Sequence, residues 1–188
     1  MYFDSIGPAL TEATVKIAVQ AAKEKHISHI VVASNTGATA IALAEEAQRQ
    51  NYNGKPICIS QVYGFAKKGE NALSGEMREQ LVKQGVCVHI AAHVLSGAER
   101  SISNKFQGAY PVEIIAHSLR MFSQGTKVCV EISTMALDAG LIPFGKPAIA
   151  LGGTNSGADT ALLLTPSYAS SIFETKIHEI LCKPSLKN

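Results

Sequence analysis

The strongest constraint on the fold is an apolar strand that passes directly into a helix between residues 30 and 50. Residues 30–33 are apolar and mostly β-branched, which is typical of a buried strand, and residues 38–50 have the composition of a helix. A turn of small hydroxyl residues and one glycine lies between them, at residues 34–39. Units of this kind build sheets whose strands run mainly parallel.

The rest of the chain repeats this alternation of strand and helix. Further helices are predicted at residues 11–25, 76–84 and 111–123, a helical turn or two at 167–173, and further strands at 56–62, 86–91, 146–151, 160–164 and 178–182. The strands at 146–151 and 160–164 are close enough to form a hairpin. These elements predict the α/β class with three αβα layers, in which a mainly parallel mixed sheet carries helices on both faces. Because no repeat or linker divides the 188 residues, we expect one domain over residues 1–188.

One segment fits both the period of a strand and the propensity of a helix. Val128, Val130 and Ile132 alternate with other residues as in a strand, whereas residues 135–140 have helical propensity. We assign residues 127–139 to a helix, and a strand at residues 128–132 remains the alternative. Gly125 is predicted to separate this helix from the one before it.

Charge and composition argue against several classes of function. The formal net charge is only +2 and no segment concentrates Lys or Arg, so nucleic acid is not an expected partner. The chain does not open on a signal peptide, and no apolar run approaches the roughly 20 residues of a membrane span. We therefore expect no membrane partner and a cytoplasmic location. A homo-oligomer is also expected, because such assemblies are common.

The cysteines and histidines show no pattern of metal ligands. The four cysteines lie far apart and form no CxxC motif. We expect Cys58, Cys87, Cys129 and Cys182 to be buried as small apolar side chains. No histidine has a second ligand at a metal-binding spacing, so no metal is expected.

Candidate functional residues fall in loops that follow strands. In parallel sheets ligands bind beyond the carboxyl ends of the strands, and the loops at residues 34–39, 63–71, 93–105 and 152–160 meet this condition. The first loop can hold a phosphate, because Gly37 permits a tight turn and the helix amino terminus offers free N–H groups. Ser34, Thr36 and Thr39 add hydroxyl donors. The alternative is that these residues only cap the helix.

The other loops add cations and an aromatic face. Arg100 and Lys105, with Ser101 and Ser103 nearby, can bind a phosphate by charge, unless Arg100 pairs with Glu99 or Glu113. Phe65 or Tyr63 can stack on a planar ring, beside Lys67 and Lys68. The glycine-rich loop can be a plain hairpin turn. The predicted ligand-binding residues are Ser34, Asn35, Thr36, Gly37, Thr39, Phe65, Ser96, Arg100, Ser101, Lys105, Gly153, Thr154, Asn155 and Ser156.

Two of these loops resemble a known family. Residues 33–40, Ala-Ser-Asn-Thr-Gly-Ala-Thr-Ala, resemble the phosphate-holding effector loop of the carboxy-terminal domain of pyruvate kinase, Thr-x-Ser-Gly-x-Ser/Thr-Ala. Residues 151–160 resemble the second effector loop of that domain. More closely, the chain resembles the stand-alone pyruvate kinase carboxy-terminal domain-like family, on residues 30–34, 95–103, 127–132, 139–143 and 152–154.

This resemblance implies a mixed sheet and a phosphate-bearing ligand in its cleft, with flavin mononucleotide (FMN) as the first candidate cofactor. The chain departs from pyruvate kinase in two respects. It contains no tryptophan, so the aromatic residue that flanks the effector loop in many pyruvate kinases is missing and binding of a sugar bisphosphate is disfavoured. A catalytic (β/α)8 barrel needs roughly 250 residues, so we do not expect a pyruvate kinase.

Three hypotheses of function follow. The first is a ligand-binding or regulatory protein for a phosphorylated, nucleotide-like small molecule. The second is an enzyme acting on a phosphate ester or a flavin, with His93 as the general acid or base and Glu131 as the second candidate catalytic residue, because an unperturbed histidine titrates near neutrality. The third is a structural or interaction module.

Overall fold

Seven strands form one sheet that runs through the centre of the protein. The structure, a computed structural model, describes residues 1–185. The strands are β1 (Tyr2–Phe3), β2 (His29–Ala33), β3 (Lys55–Gln61), β4 (Cys87–Ala91), β5 (Ala148–Gly152), β6 (Thr160–Thr165) and β7 (Lys176–Pro184). Their order across the sheet is β1-β7-β6-β5-β2-β3-β4. The strands β5, β2, β3 and β4 are parallel, β6 is antiparallel to both β5 and β7, and β1 is parallel to β7.

Helices cover both faces of this sheet. They are α1 (Thr11–Glu24), α2 (Ala38–Arg49), α3 (Gly75–Lys83), α4 (Glu99–Phe106), α5 (Pro111–Arg120) and α6 (Gln124–Asp138). Successive side chains of a strand point to opposite faces. Accordingly, Ile30 and Val32 pack with residues of α1, α2 and α3, whereas Val31 packs with residues of α6. The predicted three-layer αβα architecture is therefore confirmed, with a mixed sheet.

The ambiguous segment is a helix. In α6 the hydroxyl of Ser123 caps the amino terminus by accepting the N–H of Thr126 at 2.9 Å. Nearly every residue of α6 is buried, because the helix lies between the sheet and α5. A helix that is apolar on all sides loses its amphipathic spacing. The alternation of Val128, Val130 and Ile132 therefore reflects burial of the whole helix rather than a strand.

Gly125 lies inside α6 and does not separate it from α5, so that prediction is wrong. Residues 121–123 make the break instead. A Cβ atom at Gly125 would lie 2.2 Å from Oγ1 of Thr160 and 3.0 Å from Oδ1 of Asp159. The glycine is needed for the close approach of α6 to β6, and the turn between the helices begins earlier.

Three further predictions need correction. The connection at residues 93–105 contains most of α4, a helix of eight residues that buries none of them. The two-residue strand β1 is too short to show a period, and β7 begins two residues before the predicted start and ends two residues after the predicted end. Cys87 is exposed because it lies on the edge strand β4, whereas the other three cysteines are buried.

The described part of the chain, residues 1–185, has no helix that is long and apolar enough to cross a membrane.

Replacing Gly125 should destabilise the protein by steric overlap. For Gly125→Ala we expect a loss of about 1–3 kcal/mol in the free energy of unfolding, because the new methyl group meets Thr160 in a packed interior. Urea denaturation followed by circular dichroism measures the change. Gly75→Ala is the matched control, because a Cβ there has no neighbour within 4 Å, and it should be neutral or stabilising. Equal destabilisation by both substitutions would contradict the role given to Gly125.

Candidate functional site

A cleft of about 740 Å³ opens at the carboxyl ends of β2, β3 and β5. One wall is the turn between β2 and α2, and α6 forms the floor together with the end of β3. The glycine-rich loop between β5 and β6 and the segments after β3 and β4 complete the rim. The cleft thus lies where the topology of a parallel sheet places ligand sites.

The amino terminus of α2 presents free hydrogen-bond donors to this cleft. Gly37 is the residue before the helix, with a φ of 93°, and no side chain caps the helix there. The N–H groups of Ala38 and Thr39 have no acceptor among residues 1–185. The hydroxyl of Ser34 makes one long contact, in which it accepts the N–H of Ala40 at 3.4 Å. Simple capping therefore does not account for this cluster of hydroxyl residues.

Gly37 is needed for the backbone conformation of the turn, and its own atoms do not line the cleft. Its left-handed conformation favours glycine, and an added Cβ would lie 2.3 Å from Cγ of Met77. The glycine lets α3 pack closely beneath the turn. The glycine therefore shapes the turn between β2 and α2.

Asp159 holds the glycine-rich loop against the start of α1. This fully buried carboxylate accepts the N–H groups of Gly7 and Thr154, each at 3.1 Å, and the hydroxyl of Thr160 at 2.8 Å. Thr11 adds a second link by accepting the N–H of Ala158 at 3.1 Å. The loop is a hairpin connection between β5 and β6, and it also lines the cleft.

An aromatic and cationic group lies on the side of the cleft after β3 and β4. The rings of Phe65 and His93 are 4.9 Å apart between centroids, and the guanidinium carbon of Arg100 lies 5.9 Å from the Phe65 ring. Arg100 has no carboxylate partner among the described residues. Instead, Glu99 accepts the N–H groups of Val112 and Glu113 at the start of α5. Arg100 is thus available to an anion.

The floor of the cleft carries a buried ion pair on α6. The Nζ of Lys127 lies 2.5 Å from Oε2 of Glu131, and the two side chains are 7% and 3% exposed. The other oxygen of Glu131 accepts the N–H of Leu95 at 3.0 Å, in the segment after β4. Burial lowers the pKa of Lys127, and the adjacent carboxylate acts in the opposite direction. Lys127 was not predicted, although an i,i+4 Lys–Glu pair within an apolar helix was a usable signal.

His93 is half-buried beside these charges. Burial is the main cause that lowers its pKa below 6.5, Lys127 and Arg100 lower it further, and Glu131 raises it. The imidazole is therefore mostly neutral at pH 7 and can accept a proton.

The structure brings most of the predicted residues together at one cleft. The predicted residues that line it are Ser34, Asn35, Thr36, Thr39, Phe65, Ser96, Arg100, Gly153, Asn155 and Ser156, with the candidates His93 and Glu131. Ser101, Lys105 and Thr154 do not line it. The ammonium of Lys105 lies 5.4 Å from the centre of the Phe106 ring, and the N–H of Thr154 is taken by Asp159. Residues that line the cleft without having been predicted include Ser60, Gln61, Arg120, Gln124 and Lys127.

The charged lining favours an anion. Arg100, Arg120 and Lys127 are cationic, and Glu131 is the one carboxylate of the described lining. No group of three or more His, Cys, Asp or Glu residues in the described part of the chain could hold a metal ion.

Removing the charge of Glu131 should destabilise the protein in a pH-dependent manner. Glu131→Gln keeps an acceptor for Leu95 but leaves Lys127 unpaired, so we expect a loss of about 3–5 kcal/mol at pH 7. The folded-state pKa of Lys127 then lies below its ordinary 10.5, and the unfolded state binds more protons between these two values. Stability should rise with pH through that window and level off above it, as measured by urea denaturation at several pH values.

The double variant Lys127→Met with Glu131→Gln is the control for this prediction. It has no buried charge at these two positions, so it should recover most of the lost stability and lose the pH dependence. A double variant as unstable as Glu131→Gln would contradict the assignment of the loss to an unpaired Lys127.

Comparison with known proteins relates this arrangement to one family. The family model of the pyruvate kinase alpha/beta domain matches residues 12–164. Among solved structures the chain is similar to a pyruvate kinase from Cryptosporidium parvum, with 18% identity over 78% of this chain and a TM-score of 0.40. Another structure of pyruvate kinase from that organism shows 16% identity over 79%, with a TM-score of 0.37. A third, in complex with ADP, shows 17% identity over 91%, with a TM-score of 0.39.

The chain spans only 21–24% of the length of these pyruvate kinases. The family match, by contrast, extends from α1 to β6 and includes both loops that resemble the effector loops of pyruvate kinase. By that match over residues 12–164, this chain belongs to the pyruvate kinase alpha/beta domain family.

Proposed function

We propose that this protein binds a phosphorylated small molecule in the cleft at the carboxyl edge of its sheet, as a ligand-binding or regulatory protein. The observation that carries the proposal is the open amino terminus of α2, which faces a cleft with a net positive lining. Family membership supports it, because the resembling loops of pyruvate kinase hold a phosphate of an effector.

The phosphate is assigned to the turn between β2 and α2. The free N–H groups of Ala38 and Thr39 and the hydroxyl of Thr36 surround one end of the cleft. A helix amino terminus carries a partial positive charge, which favours an anion. Ser60 also supports this assignment. It lines the same cleft, and its buried hydroxyl has no hydrogen-bond partner among the described residues.

The remainder of the ligand is assigned to the side of Phe65 and Arg100. Phe65 is 49% exposed and can stack on a planar ring, while Arg100 can pair with a second anionic group. The volume of about 740 Å³ falls within the roughly 300–1,000 Å³ of small-molecule sites. FMN combines a phosphate with a planar ring and is the first ligand to try.

Isothermal titration with FMN and riboflavin tests the phosphate cradle. The two ligands share the ring system, and only FMN carries the phosphate. We expect FMN to bind at least about tenfold more tightly, because charge-assisted hydrogen bonds contribute roughly 1.5–3 kcal/mol. Ribose 5-phosphate and other sugar phosphates extend the comparison, and yellow colour in the purified protein would be direct support. The proposal is wrong if no phosphate ester binds below millimolar concentration.

Matched variants locate the site within the protein. Ser34→Ala and Arg100→Met should weaken binding of the phosphate ester. Arg49→Met removes an arginine in the last turn of α2, away from the cleft, and should leave binding unchanged. Equal effects of Arg100→Met and Arg49→Met would contradict the assigned site.

An enzyme of the same ligand class is the second candidate function. It is favoured by His93, which is neutral at pH 7 and lies within electrostatic reach of the Lys127–Glu131 pair. A neutral imidazole in a ligand cleft can act as a general base.

Titration of His93 by NMR tests its readiness for this role. We expect a pKa below 6.5, because burial disfavours the imidazolium form. His93→Gln identifies the resonance. Any release of phosphate from FMN or sugar phosphates that uses this base should fall as the pH drops through the pKa measured for His93, and it should vanish in the variant. A His93 pKa above 6.5 would contradict the prediction.

A further inference from the structure

Gln61 presents an unpaired side-chain amide to the cleft. It is only 6% exposed and lines the cleft, and its side-chain amide makes no hydrogen bond within residues 1–185. Its backbone oxygen is occupied, because it accepts the amide of Asn71 at 2.7 Å. The Gln61 amide is not one of the fully buried polar groups, so its donor and its acceptor are both available to a ligand in the cleft.

The sheet places Gln61 at an open position of the cleft floor. Ile59 and Gln61 share one face of β3, and Ile59 packs among residues of α6. The adjacent strand β2 ends at Ala33, which pairs with Ile59, so Gln61 extends past the end of that strand. On the other side it pairs with Ala91, whose side chain is small. Room for a bound group therefore remains beside the amide.

The charges near this floor argue against a second phosphate at Gln61. Lys127 and Glu131 neutralise each other across 2.5 Å on the facing helix. The unpaired cation Arg100 lies over the Phe65 ring, 5.9 Å from its centre, and belongs to the cluster after β4. A neutral group with both a donor and an acceptor fits the amide better than an anion, which only accepts.

We propose that Gln61 is a specificity-determining residue that forms hydrogen bonds with the edge of a nitrogen heterocycle in the phosphorylated ligand. A planar carboxamide pairs in two places with an edge that offers an adjacent donor and acceptor, as in a nucleobase or a flavin. Phe65, in the loop that follows β3, supplies the aromatic face for the same ring. This inference rests on the proposed function and narrows its ligand to a nucleotide-like compound.

Uridine 5′-monophosphate and ribose 5-phosphate are the matched probes for isothermal titration. They share the sugar phosphate, and only the nucleotide has the heterocycle. We expect the nucleotide to bind about tenfold more tightly, in line with a bidentate contact of roughly 1–3 kcal/mol. In Gln61→Met, which keeps the length of the side chain, the two affinities should become similar while that of ribose 5-phosphate stays unchanged. Gln48→Met, on the exposed surface of α2, should keep the preference.

A ligand-side probe keeps the test independent of protein folding. The analogue 3-methyluridine 5′-monophosphate lacks the imide donor and should bind the wild-type protein about tenfold more weakly than the parent nucleotide. The inference is overturned if ribose 5-phosphate binds as tightly as the nucleotide, or if the preference survives in Gln61→Met. Failure of every phosphate ester to bind is a separate result, which overturns the proposed function and this inference with it.

Discussion

The buried carboxylate of Asp159 is the interaction on which the geometry of the cleft depends. A fully buried carboxylate is tolerated only when its oxygens are hydrogen-bonded, and here they accept Gly7, Thr154 and Thr160. Gly7 lies in the turn before α1, Thr154 in the glycine-rich loop and Thr160 at the start of β6. The hydroxyl of Thr160 also lies 3.2 Å from Ser123, which caps α6. One carboxylate thus connects the glycine-rich loop and the start of β6 to the turn before α1, which is 152 residues away in the sequence.

The charges of the cleft divide into a region for an anion and a region for a neutral group. The free N–H groups of α2 and the unpaired Arg100 attract negative charge at the rim. On the floor, Lys127 and Glu131 are nearly inaccessible to solvent and satisfy each other. Glu131 also binds the backbone of Leu95, so the pair connects α6 to the segment that carries His93. A phosphate at one end and an uncharged polar ring towards the other is the ligand that suits this division.

Much of the fold was predictable because its elements carry strong local signals. The strand, turn and helix around Gly37 are as expected, because β-branched residues and a glycine that permits a positive φ act over a few positions. The loops at residues 33–40 and 151–160 also carried the resemblance to pyruvate kinase domains, which the family match confirms. The helix α4 was missed because it buries no side chain, and α6 was ambiguous because it buries nearly all of them. Neither helix divides into a buried face and an exposed face, which is the pattern that sequence interpretation relies on.

By itself, the sequence determined the alternation of strands and helices, the α/β class and the polar loops at one edge of the sheet, because these follow from spacing within short segments. Only the tertiary structure decided which polar residues share the cleft. It placed Lys127 and Gln61 on the floor of the cleft and Lys105 over the ring of Phe106. It also made the N–H of Thr154 a donor to Asp159, which supports the loop. These outcomes depend on contacts between residues that are distant in sequence, and the packing of α6 against the sheet sets them. Local periodicity carries no information about such contacts.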